Sequence, residues 1–141
     1  MVKAVPACIA FLLMLALAGC ISPPKVDASQ LVGHWSSGDG ADLTLNADGT
    51  LEVVGVPADV WNPALWAPSN MSGRPEGEEV RADAHWRLLD RMPDVSGQVV
   101  EINTDGAVNF ALVRGGSTIT IAFVLGDPDN HDFYEFEKQP Q

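Results

Sequence analysis

Gly126–Asp132 (GDPDNHD) holds the densest run of metal-capable side chains in the sequence. Asp127, Asp129 and His131 stand at alternate positions with Asp132 adjacent, and oxygen ligands at i, i+2 and i+4 are how a calcium loop begins. The central glycine and distal bidentate glutamate of an EF-hand are missing. Glu135 and Glu137 fall inside the next alternating run, and imidazole is a poor calcium ligand. An Asp-Pro turn held by Asx hydrogen bonds accounts for the same residues. A zinc site needs four good ligands, and His34, His85 and His131 find no thiolate to complete one. No metal or cofactor is expected.

Nucleophilic and acid–base chemistry find equally little. The serines form no Gly-x-Ser-x-Gly elbow, and no glycine-rich loop opens a helix as a phosphate cradle requires. Acid pairs such as Glu78-Glu79 sit in a charged loop, and no carboxylate has the apolar setting that would raise its pKa. An enzyme stays only as the last alternative. Trp61 and Trp66 offer more, because tryptophan combines a large contact area with a polar handle. They lie among Pro57, Pro63, Pro68 and Pro75 in a long irregular segment, 57–81. There they either cover a barrel mouth, meet a ligand or partner, or fold back as a satellite core.

Cys20 is the remaining reactive group. Lys3 gives a short positive start, Val5–Ala18 is apolar, and Ala18-Gly19 are small residues just before the thiol. That order of charge, apolar run and small-residue exit is the pattern of a secretory signal, and the run is short for a membrane-spanning helix, which takes about 20 residues. Leu17-Ala18-Gly19-Cys20 resembles the lipobox of bacterial lipoproteins at every position. The resemblance implies lipidation of Cys20, cleavage just before it, and localisation in the cell envelope on the extracytoplasmic side. Stable anchoring by two or more acyl chains agrees with this. Residues 1–19 are then the signal peptide, 20–30 a lipidated tether containing Pro23-Pro24, and 31–138 a single domain. Cys8 leaves with the signal, so no disulfide is expected.

Removing residues 1–19 takes away Lys3 and no acid, so the formal charge moves from −11 to −12. So acidic a domain is unsuited to nucleic acid, whose binding rests on Lys and Arg meeting phosphates. It is equally unsuited to lying flat on anionic lipid.

The elements that must position these residues are strands. Short alternating runs bounded by turn residues occur over Leu31–Ser36, Ala41–Asn46, Thr50–Val56, His85–Asp90, Gln98–Asn103, Ala107–Arg114, Thr118–Val124 and Phe133–Lys138. Val108, Phe110 and Leu112 share one face, as do Ile119, Ile121 and Phe123. The fold expected is all-β: after an N-terminal signal helix, an antiparallel meander of about eight strands closes into a small barrel, which removes the sheet edges. His34-Trp35 followed by Asn46-Ala47-Asp48-Gly49 is echoed by His85-Trp86 followed by Asn103-Thr104-Asp105-Gly106. Either a duplication or the common chemistry of hairpin turns produces such an echo.

Gly33-His34-Trp35 resembles the Gly-x-Trp of the first strand in lipocalin-like (calycin) barrels, which implies Trp35 as a plug at one barrel end. The arginine that stacks on that Trp in the family is absent, and Lys138 is the nearest substitute. Trp35, Asp48-Gly49 and Asp127-Pro128-Asp129 are also similar to the pattern of small actinobacterial lipoproteins, a likeness that brings no activity with it. Two functions follow. One is a non-enzymatic interaction or structural scaffold of the envelope, with an unknown envelope protein as partner. The other is a carrier of a small apolar molecule or lipid, gated by Trp61 and Trp66, with a cavity of roughly 300 Å³ or more.

Overall fold

A computed structural model of the chain describes residues 25–61, 79–93, 95–104, 107–125, 129 and 131–140. Cys20, Trp66 and Asp127 lie outside the described residues. A single helical turn α1 (Ala28–Leu31) precedes eight strands: β1 (Gly33–Ser37), β2 (Asp42–Leu45), β3 (Thr50–Pro57), β4 (Glu79–Leu89), β5 (Val99–Thr104), β6 (Ala107–Arg114), β7 (Thr120–Val124) and β8 (Phe133–Lys138). Each pairs antiparallel with the next, and β8 returns to β1 through Trp35↔Lys138, Ser36↔Glu137 and Ser37↔Phe136. The all-β closed meander is therefore the fold, and closure leaves no edge strand open to pairing.

Alternation along each strand sends one set of side chains inward. Trp35, Leu43, Leu45, Leu51, Val53, Trp86, Ile102, Ile121, Phe123 and Phe136 belong to one buried cluster. β3 keeps its apolar set inside by a bulge: the register shifts between Val54 and Val56, and Gly55 takes φ 72°. Only glycine adopts that conformation at little cost, and the shift lets Val56 enter the core after Val53.

Only β6 and β8 keep the expected bounds, and the largest departures are at α1, at residues 25–30 and at β4, which opens at Glu79 and not at His85. Leu31 ends α1 instead of opening a strand, because the Asp27 amide donates to the Gln30 side-chain oxygen (2.8 Å) and begins a turn that buries Leu31. Residues 25–30, expected to belong to a free tether, are held against the barrel from Lys25 onward, as described below. The irregular segment is shorter than 57–81, since Pro57 closes β3 and Glu79–Arg81 open β4. Val80, Ala82, Ala84, Trp86 and Leu88 point inward, while Glu79, Arg81, Asp83, His85 and Arg87 are on the outer face. Ala, Glu, Arg and Asp are not strong strand formers, and cross-strand pairing with β3 and β5 supplies what propensity lacks.

The echo of two halves is chemical rather than architectural. β1 and β4 run in opposite directions, yet Trp35 and Trp86 both lie toward the same barrel end. Trp86 donates from Nε1 to the Asn46 carbonyl (3.0 Å) and from its backbone to Gly49 (2.8 Å), bracing the first Asn-x-Asp-Gly turn. A duplicated unit with reversed strand direction would carry its Trp to the other end. β1 and β4 are also separated by β2 and β3, so His34 and His85 do not meet.

Candidate functional site

The barrel presents three places for contact: its two ends and the outer face of β5–β7. At the first end Trp35 is fully buried, its Nε1 donating to the Leu31 carbonyl (2.8 Å). Lys138 Nζ lies 5.7 Å from the centre of the Trp35 ring and donates to the Gln30 carbonyl (2.6 Å). The cation over the indole thus comes from β8 itself, and the same ammonium caps α1. Gln98, almost fully buried, clamps the incoming chain here. Its Oε1 accepts from the Val26 amide (2.7 Å) and its Nε2 donates to the Val26 carbonyl (2.9 Å) and to Asp90 (3.0 Å). Lys25 completes the arrangement by pairing with Asp90 (3.0 Å).

At the opposite end Trp61 follows a turn in which the Pro57 carbonyl accepts from both Val60 and Trp61 amides (3.0 Å each). That turn rolls the indole into the barrel, where it is buried and packs against Phe123 (5.9 Å between ring centres). Asn109 explains why this is tolerated. It is a buried amide on the inner face of β6, and its Nδ2 donates to the Trp61 carbonyl (3.0 Å), so neither polar group is left unsatisfied. Trp61 is turned inward here, away from the surface a partner would meet.

Beside Trp61 a small polar cluster ties the β1–β2 turn to β8. Ser37 and Tyr134 both donate to Asp39, and Ser37 Oγ accepts from the Ala41 amide (2.9 Å). These bonds, from Ser37 first and Tyr134 second, hold the Asp39 carboxyl below the usual range. Burial, and then the bond to Asp39, push Tyr134 up to about 12. The bonds that lower the proton affinity of Asp39 make it a weak base toward Ser37, and what the cluster does in the fold is clasp the β1–β2 turn to β8. Tyr134 is the chain's one tyrosine, so tyrosinate absorbance reads it directly. It is expected to titrate near 12 and not near the ordinary 10.0. The native state holds this proton more tightly than the unfolded chain, so its stabilisation is complete below about pH 10 and is lost as pH rises toward 12. Ionisation near 10 in the folded protein would contradict the clasp.

The third place is on the outer wall. Inward positions of β6 are Asn109, Ala111 and Val113, so Val108, Phe110 and Leu112 point outward. They continue across the sheet, since Leu89↔Val99, Val99↔Leu112 and Leu112↔Ala122 are directly paired and paired residues share a face. Val99 (1% exposed) and Ala122 (0%) are shielded on this outer side, whereas Val108 is 41% exposed. Two self-neutralised pairs border the strip: Arg87–Glu101 (2.8 Å) on one side, and Arg114–Glu135 on the other, with Arg114 also 4.5 Å over the Phe133 ring. The result is an apolar, charge-balanced window in an acidic surface.

The histidine and acid motifs are local. His131 Nδ1 bonds the Asp129 carbonyl (2.8 Å), His131 takes φ 58°, and Leu125 donates to Asp132 (2.9 Å), which closes the β7–β8 connection. His34 pairs with Asp42 (3.1 Å) on the outer face. Among the described residues no group of three or more His, Asp or Glu side chains is placed to hold a metal ion. Comparison with family models, curated proteins and solved structures returned no match.

Proposed function

We propose that this chain is a non-enzymatic scaffold or interaction protein of the bacterial cell envelope, anchored by lipid on Cys20. The observation that carries this is the interior. Trp35 and Trp86 toward one end, Trp61 across the other, and Phe123 and Phe136 between them pack as one cluster, so contact with other molecules falls to the outer surface. The β5–β7 window supports a partner protein with an apolar, weakly charged face. The window itself is neutral, while the acidity elsewhere repels anionic surfaces. Depletion of charge with aromatic and aliphatic side chains at the centre is how interface cores are composed.

A photo-crosslinking residue at Phe110 tests this in intact cells. It is expected to give a discrete protein adduct that is lost in the Leu112→Asp background, while the same probe at exposed Glu52 on β3 gives none. Size exclusion of the acylated protein tells a second copy of the chain from a different partner. Adducts at both positions alike, or at neither, would contradict the window as the contact face.

A further inference from the structure

We propose that the barrel stands on the membrane with its Trp35 end inward and its Trp61 end outward, fixed by the Gln98 clamp on the chain that follows Cys20. This rests on the lipid-anchor reading above. The first described residues are held, not trailing: Lys25 pairs with Asp90, and both backbone polar groups of buried Val26 are taken by Gln98. The five residue steps from Cys20 to Lys25 span at most about 18 Å. The lipid therefore emerges beside the end that α1 and Trp35 fill.

Charge points the same way. Around the Trp35 end, among the described residues, Lys25, Arg91 and Lys138 nearly offset Asp27, Asp48, Asp90 and Glu137, while Arg114 is already paired with Glu135. Around the Trp61 end Asp39, Asp42, Asp59, Glu79 and Asp132 face only Arg81 among the described residues. Strands of this length at barrel tilt make a wall about 20 Å high, roughly two Debye lengths at physiological salt. A domain tethered this closely to an anionic bilayer is repelled least with its balanced end down and its acidic end beyond the screening distance. The clamp and the charge gradient are independent features that select the same pose. They leave the β5–β7 window on the barrel's side wall, facing neighbours in the plane of the membrane.

The test uses the full acylated protein in vesicles of phosphatidylethanolamine and phosphatidylglycerol carrying a headgroup energy acceptor. With Cys20 acylated, a donor dye goes on a single new cysteine: Gly116→Cys at the Trp35 end or Gly38→Cys at the other. A side chain at Gly38 meets nothing within 4 Å, and at Gly116 only an ordinary contact at 3.8 Å. Flotation with the vesicles is scored first. Transfer is expected to be several-fold stronger from position 116 than from 38, and the ratio is expected to fall toward one in Gln98→Ala, which frees the chain to swing. Flotation with equal transfer, or stronger transfer from 38, would overturn the orientation alone. Failure to float would overturn the anchor and the orientation with it.

Discussion

Trp35→Ala is expected to lower the barrel's stability by about 3–5 kcal/mol, the range for truncating a fully buried tryptophan. Domains of this size are stable by only about 5–15 kcal/mol, so the variant should sit close to unfolding. The size of the effect follows from what one side chain does. It fills the end of the barrel, its Nε1 satisfies the Leu31 carbonyl that ends α1, and its ring carries Lys138. Trp35→Phe separates these roles. It keeps most of the apolar area but leaves a buried carbonyl unpaired, a cost of about 1–3 kcal/mol. Denaturant midpoints at constant m measure both variants. A Trp35→Ala loss below about 1 kcal/mol, the scale of a surface change, would mean that this end is not part of the core.

The second large effect is expected at the opposite end. Trp61→Ala should cost about 2–4 kcal/mol, somewhat less than Trp35→Ala, because Trp61 lies on a turn that can partly collapse. Asn109 makes the result diagnostic. In Trp61→Ala its amide can still bond the backbone carbonyl, whereas Asn109→Leu removes the donor and leaves the Trp61 carbonyl buried without a partner. If Trp61 is held by that bond, the two substitutions couple, and their combined cost falls short of the sum. Strict additivity would show that the indole packs without help from β6.

Much of this architecture is legible in the sequence, and the exceptions have physical causes. β6 and β8 have the bounds expected from alternation because each mixes large apolar with polar or small residues and is bordered by turn residues. β4 is less legible: Glu79–His85 alternates, but its inward residues are Val80, Ala82 and Ala84, two of them alanines of weak strand propensity, so the expected strand opens only at His85. Periodicity also shows that Val108, Phe110 and Leu112 share a face without showing which side that face takes. Asn109 and Ala111 hold the answer, since the interior needs one amide for Trp61 and one small residue beside the aromatic rings. Gln98 gave no signal, because a clamp on a backbone 72 residues away has no local pattern. The Tyr134–Asp39 clasp is equally non-local.

Whether the barrel is solid or a carrier is decided most directly by titrating the protein with fatty acids and membrane lipid extracts while following tryptophan fluorescence. Trp61 lies across one end of the interior against Phe123, so any molecule entering that end must displace it or pack against it. A filled scaffold predicts no saturable change in emission wavelength or intensity across the panel, in wild type and in Asn109→Leu alike. A stoichiometric, saturable shift that Trp61→Phe abolishes would contradict the scaffold and make the interior a binding site.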